Sequence, residues 1–310
     1  MTFKRLFLVA GVTTAIAACG DYSNEDLLFM SAVPSSTQLA VVLPAAPANV
    51  MQAELAQDTH SGIATVNSVL DAVLAVVDTV RSYEPTSRSA NSRTWGPFAD
   101  STHPGWQAQL EVSRASEDAT VFTYELDFAS TANPSKSVTF LSGMFDVAGG
   151  AKQGNGSVTA YFADALAAGY PLDATTSQYD TLMINYQNYQ TPGSPVSVTL
   201  TINRAIPDPN GVIMVTFTYT ILADGSGEIT FMSTGDVVAG TGTETVTIQA
   251  QWLPSGVGMG TLKIVAGTDV GLTQTECWDA TFEVTYNDKP WSTSEDFGNA
   301  SMCPVLPSFP

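Results

Sequence analysis

Val196-Ser197-Val198-Thr199-Leu200-Thr201-Ile202-Asn203 places an apolar side chain at every second position and a hydroxyl or amide between them. Successive side chains of an extended strand point to opposite faces, so this run reads as a strand with one face buried and the other wet. The same period recurs along the chain. Trp106, Ala108, Leu110 and Val112 share one face, and Phe122, Tyr124, Leu126 and Phe128 share the next. Ile213, Val215, Phe217, Tyr219 and Ile221 alternate with Thr216, Thr218 and Thr220. Further strands are expected around 138–146, 157–162, 181–186, 228–233, 244–252, 259–266 and 280–286. Pro207 to Gly211, Ala223 to Gly227 and Pro254 to Gly256 carry the Pro, Gly, Asp and Asn of tight turns. Short turns force neighbouring strands to run antiparallel. The expected fold is mainly β, a large antiparallel meander of ten or eleven strands, and a sheet of that size must curl or split.

One segment breaks the period. From about 61 to 83, Ile63, Val66, Val69, Leu70, Val73, Leu74, Val77 and Val80 follow three-and-four spacing. Asn67, Asp71, Asp78 and Ser82 form a narrow polar stripe, and Pro85 is a stop signal. Asp71 at mid-length argues against a transmembrane span. A helix this apolar needs cover on most of its circumference, so the curved sheet is expected to pack around it, with Val73, Leu74, Val77, Phe122, Tyr124, Phe217 and Tyr219 facing the core or a ligand held between helix and sheet. The alternative architecture is a two-sheet sandwich with the helix outside. Ala163 to Gly169 reads as a helical turn ended by glycine.

Upstream of the helix lie two further parts. Lys4 and Arg5 precede an apolar run, Leu6 to Ala18, too short to span a bilayer, and Ile16-Ala17-Ala18-Cys19 closes it. This resembles a bacterial lipoprotein signal. The resemblance implies removal of residues 1–18, acyl chains such as palmitate on Cys19, and attachment to the outer membrane facing the periplasm or the exterior; Gly20 is not the Asp used for inner-membrane retention. Residues 19–60, with acids at 21, 25 and 26 and prolines at 34, 44 and 47, read as a tether, followed by one β-rich domain over 61–310.

Lipidation and loss of Lys4 and Arg5 take the formal charge from −19 to −21. Nine basic residues scattered singly make nucleic acid an unsuitable partner, and the membrane contact falls to the lipid on Cys19. With Cys19 acylated, Cys277 and Cys303 remain as an even pair in an oxidising compartment, and a structural disulfide is expected.

Catalytic chemistry finds little material. Gly-x-Ser-x-Gly, His-Glu-x-x-His, a phosphate-cradling glycine loop and Cys-x-x-Cys are absent, and the two histidines, His60 and His103, lie far apart. Asp224-Gly225-Ser226-Gly227-Glu228 has alternating oxygen ligands but reads as a plain turn between strands rather than a calcium loop. Glu111, Glu125 and Asp127 read as solvated strand-face acids. Trp95-Gly96-Pro97-Phe98 and Trp106, near His103-Pro104-Gly105, either line a binding mouth or plug the end of the sheet. No cofactor, metal or catalytic residue is expected.

The order of parts, namely Cys19, acidic stretch, Trp95-Gly96-Pro97-Phe98, Gly154-Asn155-Gly156-Ser157, Glu276-Cys277-Trp278-Asp279 and Cys303, resembles uncharacterised bacterial envelope lipoproteins. In architecture alone, a helix with a long meander also resembles the open-barrel lipoproteins of the Lol pathway, which implies carriage of an acyl chain. The functional expectation is a non-catalytic binding or structural envelope protein, with a carrier or receptor for an apolar ligand as the alternative.

Overall fold

A computed structural model describes residues 23–43, 53–133, 135–147, 153–174, 176–205 and 214–310. Cys19, the signal stretch and the 207–211 turn lie outside them. The described strands are β1 (Ser87–Arg88), β2 (Ser92–Ala99), β3 (Trp106–Arg114), β4 (Val121–Ser130), β5 (Ser137–Asp146), β6 (Gly154–Tyr161), β7 (Tyr179–Tyr189) and β8 (Val196–Arg204). They continue as β9 (Met214–Ile221), β10 (Gly227–Gly235), β11 (Glu244–Trp252), β12 (Gly258–Ala266), β13 (Thr273–Trp278), β14 (Val284–Asp288) and β15 (Phe297–Gly298). They form one antiparallel sheet whose order follows the chain from β1 to β15, as a meander requires.

Fifteen strands among the described residues exceed the ten or eleven expected, and each omission has a physical cause. In β2 the pairing with β3 shifts register between Trp95 and Phe98, so Gly96 and Pro97 interrupt the alternation. In β13 the buried side chains include Gln274 and Glu276, so the face that should read apolar reads polar. β1 and β15 are two residues long, below any periodic signal. The strand expected over 280–286 forms only from Val284, and the residues before it are a corner. Phe282 is buried at φ +64°, the Asp279 amide donates to the Glu283 carbonyl, and β14 begins only at Val284. The Asp224 to Gly227 hairpin turn forms as a turn: Gly225 takes φ +89° and the Asp224 carboxylate accepts the Ser226 amide at 2.8 Å.

The helices are α1 (Asn24–Ser31), α2 (Ser36–Leu39), α3 (Glu54–Arg81) and α4 (Phe162–Ala168). α4 ends on Gly169 at φ +88°, as its sequence requires. α3 starts seven residues before the expected 61 and stops at Arg81 rather than 83. The early start is invisible in the apolar pattern because Gln57, Asp58 and His60 are polar. By length and composition α3 could cross a membrane. Its large apolar residues from Leu55 to Val80 are instead buried inside the protein, but along one face only: Ser61, Ala64, Thr65 and Asp71 are exposed, so the cover expected over most of the circumference is not found.

Contacts divide the chain into two compact units. Unit one is the described part of Met1–Ala40, Ser68–Thr191 and Ile202–Ile206, and unit two that of Val41–Asn67, Pro192–Thr201 and Pro207–Pro310. The division falls inside α3 and inside β8.

The supposed tether is packed structure wherever it is described. α1 opens with a capping box, the Ser23 hydroxyl accepting the Asp26 amide and the Asp26 carboxylate accepting the Ser23 amide. Asp26 is fully buried against the guanidinium of Arg93 and also takes Arg88 at 3.2 Å. Phe29 meets Phe122 edge-on at 5.2 Å, with Arg93 and Arg114 over its ring. Arg81 donates to the carbonyls of Met30 and Val33. The apolar residues of the segment come in runs, Leu27 to Met30 and Leu39 to Leu43, rather than at either period, so spacing alone does not show that Phe29, Val33, Leu39 and Val41 are core.

Cys277 and Cys303 are bonded, with their Cα atoms 5.3 Å apart. Closing a loop of sequence separation 26 contributes about 3–4 kcal/mol in the chain-entropy account. A Cys277→Ala/Cys303→Ala variant is therefore expected to shift the urea midpoint down by that free energy, and a non-reduced digest of the wild type to show the two peptides linked. Burial alone would raise the Asp26 carboxyl, but hydrogen bonds from Arg93, Ser23 and Arg88 outweigh it and hold it below the usual carboxylate range. Its stabilisation is present at neutral pH and lost as pH falls through that lowered value. Asp26→Ala leaves Arg93 buried without its carboxylate and should cost about 3–5 kcal/mol, read from urea unfolding at pH 7.

Candidate functional site

In unit two, four apolar side chains form one rung across four neighbouring strands. Phe217 on β9 pairs with Phe231 on β10, Phe231 with Ile248 on β11, and Ile248 with Leu262 on β12. The two phenyl rings stack at 5.6 Å. Above this rung lies the first half of α3, which presents Asp58, Ser61, Gly62 and Thr65, residues that share a face at helical spacing. A Cβ on Gly62 would lie 2.8 Å from the Phe231 ring, so helix and sheet touch there and only glycine fits without a shift. Beside that contact the small side chains leave a cavity of about 270 Å³, walled by the rung and by Val237 and Val246, with Asp58, Ser61, Thr65, Ser233 and Thr234 as its polar groups. Ser61, Thr65 and Ser233 are exposed, so the cavity opens to solvent on that side.

Two buried acids shape its ends. Glu244 accepts the Val237 amide at 2.8 Å and the Thr241 hydroxyl, which fixes the loop that bears Val237. At the start of α3, the Glu276 carboxylate on β13 accepts the amides of Glu54 at 3.0 Å and Leu55 at 2.6 Å, capping the helix from a distant strand. Lys289 bridges Glu54 at 2.8 Å and Glu295 at 2.9 Å, and Gln274 donates to Asn287. Burial raises the Asp58 carboxyl, the Glu54 charge adds to the rise, and Lys289 opposes it. Burial likewise lifts Glu276 from 4.5 to about 7, against the two helix amides that favour its charged form.

The expected core residues are all buried: Val73, Leu74, Val77, Phe122 and Tyr124 in unit one, Phe217 and Tyr219 in unit two. Around Val73 the space left among Val69, Ala72, Phe162, Thr176, Tyr179, Leu182 and Ile202 is about 20 Å³, room for about one water. Of the seven, only Phe217 borders the larger cavity among those described. Cys19 lies outside the described residues. Asp58 lies in α3 and not in a tether, and its place one helical turn before Ser61 and Gly62 is the sequence signal for it.

Unit one brings together a second polar group that the sequence left apart. Tyr170 donates its hydroxyl to Asp100 at 2.7 Å, and His103 Nδ1 is 2.9 Å from the same carboxylate oxygen. Asp100 also accepts the amides of Thr102 and His103. Burial works to raise the Asp100 carboxyl, these hydrogen bonds win and hold it low, and burial pushes the Tyr170 phenol up. The three side chains are hydrogen-bonded to one another, Tyr170 also lying 2.9 Å from His103 Nδ1. Tyr170 stacks on Phe128 at 4.1 Å and meets Trp106 edge-on at 5.3 Å, so the trio locks the 100–105 loop onto the aromatic end of the sheet. Trp95 is fully buried, its Nε1 donating to the Tyr83 carbonyl. Both aromatics thus plug rather than line. Glu111 and Glu125 do face each other across β3 and β4, and both are exposed. Among the described residues no cluster of His, Cys, Asp and Glu could hold a metal.

No protein-family model, curated protein or solved structure matches this chain.

Glu276 and Asp58 both hold a proton more tightly folded than unfolded, so they subtract stability as pH rises from about 4.5, and Glu276 has finished doing so above about 7. Wild type should lose on the order of 2–3 kcal/mol from Glu276 across that window. Glu276→Gln, which cannot ionise, should flatten the decline in urea midpoint; an equally steep decline in the variant would contradict the assignment.

Proposed function

We propose that this chain is a non-catalytic envelope lipoprotein, acylated on Cys19, that binds a small, largely apolar molecule in the cavity between the first half of α3 and strands β9 to β12. The observation that carries the reading is the contrast in filling: about 20 Å³ around Val73 against about 270 Å³ beside Phe217. Drug-sized ligands occupy about 300–1,000 Å³, so the cavity suits a smaller molecule or the end of a longer one, and not an enclosed diacyl lipid. An apolar wall with few polar groups on one side is the usual composition of such a site. The Asp58 carboxyl makes no side-chain hydrogen bond among the described residues, which leaves it to orient a ligand bearing a donor or a cationic nitrogen. The filled core elsewhere favours a second reading, a structural protein acting through its acidic surface.

Membrane attachment is supported by the basic start, the short apolar run and Cys19 in the sequence. Labelling with a clickable fatty acid should mark the wild type and spare Cys19→Ala. For the site, Thr65→Trp places an indole at the exposed mouth and leaves the core untouched. Non-acylated protein should bind a fluorescent naphthylamine dye with about one site per chain, and Thr65→Trp should lose that binding at least tenfold with an unchanged melting temperature. Equal dye binding by both proteins, or none by the wild type, would leave the structural reading in its place.

A further inference from the structure

Within unit one the strands define two ends. Arg93 near the start of β2, Arg114 at the end of β3 and Phe122 near the start of β4 lie at one end, and all three touch α1. The Asp100, His103 and Tyr170 trio and α4 lie at the other, beside Trp106 at the start of β3 and Phe128 near the end of β4. Nine or ten residues of strand separate them, about 30 Å at the usual rise.

α1 is held to its end from several directions. Glu25 pairs with Arg114 at 3.0 Å, Asp26 with Arg93 and Arg88, and Phe29 is wholly buried. Ser23, its N-cap, is four residues from Cys19. However those residues run, covalent geometry limits them to about 14 Å. Acyl chains on Cys19 would therefore place this end, and not the far one, at the bilayer surface.

The surface there has a matching character. Leu27 on α1 is 47% exposed, next to a cavity of about 230 Å³ that it lines with Met30, Val33, Arg81 and Tyr189. Leu27 and the half-buried Met30 are the apolar groups at its mouth, while Val33 and Tyr189 lie buried beneath them and Arg81 is held by Asp78 and the carbonyls of Met30 and Val33. We propose that the α1 end of unit one is a docking surface for the lipid bilayer, with Leu27 at the headgroup boundary, so that the anchor holds the folded body against the membrane rather than on a free leash. This rests on acylation of Cys19.

The test uses the acylated full chain in phosphatidylcholine vesicles that contain a spin-labelled lipid. A fluorophore is attached at Leu27→Cys or, as the far-end control, at Leu166→Cys; Leu166 on α4 is 49% exposed, and the native pair Cys277 and Cys303 is bonded. Quenching at position 27 should exceed that at 166 at least threefold, and the Cys19→Ala forms should show neither. Intact mass separates the two ways of failing. Acylated protein with equal quenching at both positions overturns the docking surface while the lipoprotein reading stands. Protein without acyl chains overturns the lipoprotein reading and removes the premise of the docking surface.

Discussion

The apolar face of α3 is the constraint on which the rest of the structure depends. Ile63, Val66, Val69, Leu70, Val73, Leu74, Val76, Val77 and Val80 are all buried, and at helical spacing they share one face of about 160°, while Ser61, Ala64, Thr65 and Asp71 on the opposite side are exposed. Valine is a mediocre helix former, so intrinsic propensity does not hold this helix; the transfer of these side chains from water does, at about 1.5–3 kcal/mol each. Strands with one apolar face and one threonine-rich face supply the cover on the inside and solubility on the outside. Each compact unit takes one half of the helix, and its strands bring their own apolar face to that half.

Burying so much apolar surface leaves the helix termini as the costly points, and each is met by a charge of the right sign. Glu276 takes the first two amides of α3, where the helix dipole is positive. Arg81 sits in the last turn, where it is negative, pairs with Asp78 and reaches the carbonyls of Met30 and Val33. Neither contact is local in sequence at its far end: Glu276 is more than 220 residues from the amides it accepts. A pair such as Asp26 and Arg93 follows the same rule. Its burial costs desolvation and is offset by the further partners each group finds, Ser23 and Arg88 on Asp26 and the carbonyls of Ser89 and Ser92 on Arg93.

What could be read from the chain followed the regularity of the pattern. Strands with unbroken alternation, such as Val196 to Asn203, and the glycine-ended turn after Ala168 are found where the period places them. The elements that escaped are those in which tertiary contact overrides the pattern: β13, whose buried face carries Gln274 and Glu276, β2, bulged at Gly96 and Pro97, and α1, whose seat is built from arginines on other strands. The cavity was not legible at all, because it depends on what the helix leaves out. The cysteine pair was legible, since compartment and parity limited the choices.

Arginine placement ties these points together. Of the five arginines that follow Cys19, Arg81, Arg88, Arg93 and Arg114 all converge on residues 25–33, although in sequence they look scattered. Their charges are spent on Glu25, Asp26, Asp78 and backbone carbonyls, so they give the acidic chain no free basic patch for anionic lipid. The difference between the two ends of α3 then has a simple origin in side-chain volume. Val69 and Val73 project into aromatic and aliphatic neighbours and leave space for one water, whereas Ser61, Gly62 and Thr65 face a rung of large apolar side chains and leave a cavity. At Gly62 the helix already touches Phe231 and has no room for a side chain, so the space lies beside that contact, where Ser61 and Thr65 reach solvent.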